Sequence, residues 1–468
     1  MKDFQLFLQE ASRVVPSQRQ IEWFDTEMYA FVHFTVNQYT DLEWGLGNEP
    51  ESVFDPVELD CDQWVEAVKA AGCRGIVLTA KHHDGFCLWP TKTTEHCVRS
   101  SPFRGGKGDV VREVSEACRR GGIKFGFYLS PWDRNQPCYG TDSYNDFYKA
   151  QLTELLTGYG EIFMVWLDGA CGEGPNGRKQ VYDFEGYFEL VRKYQPGACI
   201  FYDKGPDVRW CGNEAGKARQ AEWAVVPGEL CSYAAKQTEG ALVPGGLEGI
   251  YNDRPDIGAL STIVRSEGLA FCPAEVNMSI RPGWFYHKQE EPHSLERLFN
   301  TYLVSVGNNA CFHLNVPPMP NGRFDERDVQ RLKELGDKIR SEFGTPVETD
   351  VEVEEDGTVV LHLPGKTRVK YVELAEDIRF GQQVETFSVG GWLERKQAVQ
   401  LHYHGFTIGH KKLCPVNFET DTVYVKVTAH RGEPRLLLPK VYGEAIETLK
   451  GDDKPWIRDS AQDTEKNQ

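Results

Sequence analysis

Residues 75–83 read "GIVLTAKHH", an apolar run that stops at two adjacent histidines with Asp84 just beyond. Apolar side chains at successive rather than alternate positions mark a strand covered on both faces. Such strands belong to parallel sheets clothed by helices, so this stretch calls for a helix on either side. Both are legible. "CDQWVEAVKAAG" follows Asp60 as its cap and stops at Gly72. "GDVVREVSEACRRGG" has Asp109 as N-cap, Arg119 and Arg120 in its last turn, and Gly121 as its stop.

The same unit recurs outward. "MYAFVHF" lies before it; "KFGFYLSPW", "IFMVWLDGA", "ACIFYD", "LAFCPAEVN" and "ACFHLNVPP" come after. Helical patterns "DSYNDFYKAQLTELLTGYG", ending in the same way at Gly158, and "SLERLFNTYLVSVGNN" fall between later strands. Repeated strand–helix units mean an α/β fold, and over residues 1–342 they predict a (β/α)8-like barrel. Residues 205–268 are glycine-rich and poorly periodic, so helices there are expected to be short or missing. Beyond about Phe343 the period becomes two. "VEVEEDGTVVLHL" reads as a hairpin around Asp356-Gly357, and "TVYVKVTAH" alternates Val423, Val425 and Val427 with Tyr424, Lys426 and Thr428. This predicts a C-terminal antiparallel β-sandwich over 343–450 and a loose polar tail over 451–468.

The 468 residues are too many for one ordinary core, which agrees with a barrel plus a smaller domain. Acidic residues outnumber basic ones by 70 to 52, for a net charge of −18. That disfavours nucleic acid or an anionic membrane as partner, since both want a basic face. No stretch is apolar enough to span a bilayer. The start, "MKDFQLFLQE", lacks the apolar core of a signal peptide. The expectation is a cytoplasmic protein as the sequence stands, or a secreted or periplasmic one if a signal peptide has been removed. The 13 cysteines are odd in number with no C-x-x-C pair, and are expected as reduced thiols packed among apolar neighbours. Oligomeric state is not legible.

In a parallel barrel the working residues stand at the C-terminal ends of the strands. Those ends offer His33; His82 and His83; Tyr128 with Trp132-Asp133; Trp166 and Asp168; Glu275; and His313 with Asn315. Rings beside carboxylates and imidazoles suit a sugar, whose apolar face stacks on rings while its hydroxyls take polar partners. Asp168 closes an apolar strand, where an aspartate is costly unless used or paired. Trp166, two residues earlier, faces the same side. Glycoside hydrolysis with retention needs two carboxyls, a nucleophile and an acid/base. The residues alone leave Glu214, Glu222 and Glu275 open as the second. Adjacent on an extended strand, His82 and His83 face opposite sides and cannot share a metal ion without a bend, so hydroxyl binding is favoured over zinc. "GEGPNG" (Gly172 to Gly177) has the spacing of a dinucleotide loop but holds Pro175, follows Asp168 and lies mid-chain, so it is read as a plain flexible loop.

The segments "KHHDGF", "KFGFYLSPWDRN", "VWLDGACGEGPNGR" and "RWCGNEAG" together closely resemble the α-L-fucosidases of glycoside hydrolase family 29, in order from Phe24 to about Pro320. "GNE" and "EVNMSIRPGWFYH" resemble the branch acting on α-1,3/1,4-fucosyl linkages of Lewis-type glycans. The resemblance implies a retaining reaction without metal or cofactor on a fucosylated oligosaccharide or glycoconjugate. It assigns Asp168 as nucleophile and Glu214 as acid/base. It assigns His33, Glu43, Trp44, His82, His83, Tyr128 and Trp166 to fucose binding, with Arg209 a further ligand and Trp284 near the sugar's methyl. Glu275 and the 281–287 loop are expected to meet the aglycone sugars, or Glu275 to pair with Arg281. The alternatives are a broad-specificity α-L-fucosidase, a non-catalytic fucose-glycan-binding barrel, a metal hydrolase using the histidines, and the same fold acting on another sugar such as galactose.

Overall fold

The computed structural model describes residues 3–247 and 256–446. Eight strands form one all-parallel sheet: β1 Met28–Val32, β2 Gly75–Lys81, β3 Lys124–Leu129, β4 Met164–Trp166, β5 Cys199–Phe201, β6 Arg209–Trp210, β7 Ala274–Ser279 and β8 Cys311–Asn315. Their order is β5-β4-β3-β2-β1-β8-β7-β6. A parallel bridge from Phe201 to Val208 brings the two edges together, so the sheet curls into an eight-stranded barrel. Every residue of β1 and β2 is buried, as unbroken apolar runs require.

Helix Cys61–Ala71 begins where the Asp60 side chain accepts from Gln63 N–H and ends at left-handed Gly72. Helix Val110–Gly121 is capped likewise by Asp109, but its left-handed stop is Gly122 rather than Gly121. Gly121 stays in the helix for a packing reason: a Cβ there would stand 2.3 Å from Val65 Cγ1 of the neighbouring helix. Helix Asp142–Gly158 also ends differently from expectation. No glycine caps it; Tyr159 follows, and its hydroxyl donates to Asp109 Oδ2 at 3.0 Å. Helices Phe184–Tyr194 and Leu295–Ser305 serve two more crossovers.

Among the described residues, two crossovers lack such a helix. β5 returns to β6 through residues 202–208 alone, and β6 reaches β7 through a long excursion. The excursion holds the short helix Leu260–Ile263 and an antiparallel pair, Val225–Pro227 with Leu269–Phe271. "LAFCPAEVN", expected as one strand, is therefore two. It divides at Cys272-Pro273, where proline has no N–H to offer a ladder.

After helix Glu326–Phe343 the chain forms one antiparallel sheet: β9 Asp350–Val353, β10 Val359–Leu374, β11 Val384–Leu393, β12 Ala398–Phe406, β13 Lys412–His430 and β14 Lys440–Ala445. The order is β9-β10-β13-β11-β12, with β14 on the other edge of β10. The hairpin turns at Asp356-Gly357, with Gly357 at φ 79° and Asp356 Oδ1 accepting from Thr358 N–H. The long strands β10 and β13 break register between His362 and Thr367, and their two halves carry different neighbours. Residues of both halves, among them Val369, Val372, Phe387 and Val425, share one apolar cluster, which is the sandwich core. Val423 and Val425 are buried and Val427 partly so. The tail 451–468 lies outside the described residues. No described helix is long and apolar enough to cross a membrane.

Candidate active site

The barrel's C-terminal rim surrounds a cavity of about 480 Å³. On the β1 side His33 Nδ1 lies 2.8 Å from Asn315 Oδ1. The Asn315 amide nitrogen already donates to Trp284 O (2.7 Å) and Ser279 Oγ (2.9 Å), so its oxygen accepts and His33 carries its hydrogen on Nδ1. Burial above all lowers the His33 pKa to about 3, with His313 and His83 acting the same way. The ring is neutral and leaves Nε2 as an acceptor.

β2 ends at Lys81, whose ammonium is buried against Asp133 at 3.0 Å. The chain then turns, with Gly85 N–H donating to His82 O, and this bend sends both imidazoles to the cavity. Their ring centroids are 4.0 Å apart. His83 Nδ1 sits 2.7 Å from Ser130 Oγ, which itself donates to Trp132 O at 2.7 Å. Nδ1 therefore bears the hydrogen, and Nε2 faces Asp168 Oδ2 at 3.9 Å. Burial, helped by the Arg134 and Lys81 charges, takes the His83 pKa to about 4 against the pull of Asp168. His82 is driven well below the usual histidine range by burial and by both neighbouring imidazoles. Its Nδ1 is buried without a protein partner. Among the described residues no three His, Cys, Asp or Glu side chains converge as a metal site.

From β3 the Tyr128 hydroxyl donates to Asp168 Oδ2 at 2.8 Å, and Ala170 N–H donates to Asp168 Oδ1 at 2.8 Å. Trp166 of β4 stacks on Phe201 of β5, centroids 4.2 Å apart and planes 7° off parallel. Glu43 and Trp44 come from the loop after β1. Glu43 accepts from Trp284 N–H (2.5 Å) and Phe285 N–H (3.4 Å) and meets His287 Nε2 at 3.2 Å. Trp44 stands half-exposed at the mouth, edge-on to His83 and Trp132. Opposite them the Glu214 loop leans over the rim, and Trp284 Nε1–H donates to Glu214 Oε2 at 3.1 Å. Glu214 still reaches solvent at the mouth, but partial desolvation by the surrounding walls raises its pKa above the usual glutamate range; the Trp284 hydrogen bond opposes this, and the charges of Asp168 and Glu43 add to it. The "GEGPNG" loop packs beside the site, with Gly172 against the Trp132 ring and Gly174 against Tyr139.

Ten of the residues expected at the site line this one cavity: His33, Glu43, Trp44, His82, His83, Tyr128, Trp166, Asp168, Glu214 and Trp284. Two do not. Arg209 is fully buried on the far side of β6, where Nη2 donates to Glu222 Oε1 at 2.5 Å and to Trp223 O at 2.9 Å. Side chains alternate along a strand, and the cavity-facing place goes to the next residue, Trp210. Glu222, clasped by Arg209 and Arg219, is likewise remote. Glu275 is buried one layer below the cavity, where it accepts from Trp166 Nε1–H (2.9 Å) and Asn277 Nδ2–H (2.7 Å) and meets His313 Nδ1 at 3.1 Å. It touches neither solvent nor Arg281, which binds Asp328 instead. Asn277, two residues further along β7, is the side chain that reaches the cavity.

One carboxyl was not singled out from sequence. Asp203 lines the cavity two residues beyond β5, the offset at which Asp168 follows β4. The signal was in "CIFYD", which repeats the form of "MVWLD".

Residues 11–342 match the family model for α-L-fucosidase. α-L-Fucosidase 1 of Arabidopsis thaliana is 38% identical over 432 residues, covering 85% of this chain and 81% of the plant protein. The crystal structure of a putative α-L-fucosidase from Bacteroides ovatus superposes with a TM-score of 0.85 at 39% identity, over 96% of this chain and 78% of that one. A family 29 fucosidase of Ruminococcus gnavus, solved in complex with fucose, superposes with a TM-score of 0.78 at 26% identity, over 92% and 95% of the two chains. A closed parallel barrel, a rim of imidazoles and carboxyls, and this agreement along most of the sequence lead to one assignment: the chain belongs to the α-L-fucosidases of glycoside hydrolase family 29.

Proposed function

We propose that this α-L-fucosidase retains anomeric configuration, using Asp168 as nucleophile and Glu214 as acid/base, and that it removes α-1,3- or α-1,4-linked fucose from branched Lewis-type glycans. The observation that carries the chemistry is the contrast between two carboxyls of one cavity. Asp168 is oriented by the Tyr128 hydroxyl and the Ala170 N–H. Glu214 sits at the mouth, held by Trp284 Nε1–H, where partial desolvation and the charges of Asp168 and Glu43 push its pKa above the ordinary glutamate range.

The sequence of events follows from those properties. Asp168 attacks the anomeric carbon while Glu214 gives its proton to the departing oxygen. The product is a fucosyl–Asp168 ester. The Asp168 charge is then gone, so Glu214 loses one of the causes that raised its pKa and can act as base toward water. The sugar's hydroxyls are met by the neutral imidazoles of His33, His82 and His83 and by Glu43. Trp166 and Trp284 offer faces to its apolar side.

Support for the branched substrate is the join between "GNE" and "EVNMSIRPGWFYH". Trp284 Nε1–H donates to Glu214, so the acid and the mouth loop are set together. A leaving group that fills the mouth can thereby spend its binding energy on placing the acid. Comparing turnover of a Lewis trisaccharide with α-1,2-fucosyl-lactose tests this. Faster cleavage of the α-1,2 compound would remove the linkage assignment and leave the fucosidase intact.

A further inference from the structure

Asp203 has no place in the scheme above, yet its surroundings are unusual. Each other cavity carboxyl has a protein donor: Asp168 has Tyr128 and Ala170 N–H, Glu43 has Trp284 N–H, and Glu214 has Trp284 Nε1–H. Among the described residues no donor reaches the Asp203 carboxyl; Lys204 acts on it only by its charge. A half-buried carboxyl with no partner in the protein is costly unless something else occupies its lone pairs.

Its height in the barrel is fixed by register. Trp166 of β4 pairs with Phe201 of β5, and Leu167 N–H still donates to Phe201 O at 3.0 Å. Asp168 and Asp203 each follow that pair by two residues, on strands about 4.8 Å apart. The approach is close: a Cβ on Gly169 would stand 2.3 Å from Asp203 Oδ2, so the carboxyl lies against the backbone of the residue after Asp168. Around the barrel, β5 falls between β4, which carries Asp168, and β6, which leads to Glu214. Asp203 thus stands between the strands that lead to Asp168 and to Glu214, level with Asp168 and not out at the mouth where Trp44 is half-exposed.

We propose that Asp203 is a catalytic residue of the second half-reaction, accepting a hydrogen bond from the water that attacks the fucosyl–Asp168 ester. The inference rests on the double displacement described above. The water oxygen bonds to the anomeric carbon, and the carbon–Asp168 oxygen bond breaks with its electron pair returning to the Asp168 carboxylate. One water proton goes to Glu214, and the other hydrogen points to Asp203. Burial, with the charges of Asp168 and Glu214 adding to it, raises Asp203 to about 6. Esterification removes the Asp168 charge, so Asp203 is more readily the ionised acceptor when the water arrives.

Methanol supplies the test, because it has one hydroxyl hydrogen where water has two. Glu214 takes that hydrogen, and Asp203 has nothing to accept. With an activated aryl fucoside, wild type, Asp203→Asn and Asp203→Ser are compared for kcat, for kcat/KM, and for the ratio of methyl fucoside to free fucose in added methanol. The expected result is a fall in kcat of about tenfold, the worth of one hydrogen bond to a charged group. kcat/KM should stay within about twofold, and the methyl fucoside ratio should rise by about the factor that kcat loses. An unchanged ratio would overturn the role, as would a loss in kcat/KM seen only with a branched oligosaccharide, which would put Asp203 on the leaving sugar. Anomer analysis of the wild-type methyl fucoside keeps the two ideas apart. An α product with an unchanged ratio sinks Asp203 alone; a β product sinks the double displacement and the water role together.

Discussion

At Asp168 the two donors, Tyr128 hydroxyl and Ala170 N–H, orient the carboxylate, and among the described residues no Lys or Arg pairs with it. Asp168→Ala should lower kcat by roughly 10³-fold, the scale of a lost covalent step, and azide should restore part of the rate from the vacated space. Activity near wild type would exclude the nucleophile role. Glu214 is under opposed influences that can be removed one at a time. Glu43→Gln takes away a negative charge that raises its pKa, so the alkaline limb of kcat/KM should move to lower pH. Trp284→Phe takes away the hydrogen bond that favours its charged form, so the same limb should move to higher pH. The working form is the protonated acid, and activity is lost as pH rises through its pKa; shifts of equal sign in the two variants would contradict Glu214 as the acid. His83→Ala removes an acceptor whose tautomer Ser130 fixes, and should weaken fucose binding by about 1–3 kcal/mol with no new dependence on metal, measured by inhibition with free fucose.

Among the elements, strand ends were what the sequence disclosed best. The apolar runs ending in His33, His82-His83, Tyr128, and Trp166 with Asp168 placed those side chains on one rim because a parallel barrel leaves them no other place. Parity and depth were what it concealed. Arg209 and Trp210 are neighbours in β6, and sequence does not say which of two adjacent residues faces inward. Glu275 and Asn277 share a face of β7, and only the stagger of β7 against β8 tells which reaches the cavity. Asp203 was passed over although "ACIFYD" reads as a strand: no crossover helix follows it, the chain runs straight into the glycine-rich stretch from residue 205, and its last residue was not counted among the strand ends. Glu275 now carries a different expectation. It supports Trp166, Asn277 and His313 from below. Glu275→Ala should therefore harm an aryl fucoside and a branched substrate alike; a loss confined to the branched substrate would return Glu275 to the aglycone.

For the whole molecule, the C-terminal sheet braces the excursion that carries Glu214. Lys412 at the start of β13 is buried and donates to Asn308 Oδ1 (2.5 Å) and Gln220 O (3.1 Å). Asn309 of the barrel relays the contact, its Oδ1 accepting from His410 N–H at 2.7 Å and its Nδ2–H donating to Glu222 O at 2.9 Å, and Gln382 Oε1 accepts from Ala224 N–H at 2.7 Å. Period two foretold the sheet but could not foretell these contacts, which join residues far apart in the chain. Lys412→Met should cost about 2 kcal/mol of stability in chemical denaturation, since it strands the buried Asn308 Oδ1 and removes the bond to Gln220 O. A variant as stable as wild type would show the brace to be idle.

The double displacement at Asp168 is tested most directly by trapping its intermediate with a fluorinated fucosyl fluoride, whose ester turns over slowly, and mapping the adduct by peptide mass spectrometry. One fluorofucosyl group on the peptide containing Asp168, absent from the Asp168→Ala protein, is the expected result. An adduct on another residue, or inactivation without an adduct on Asp168, would contradict it.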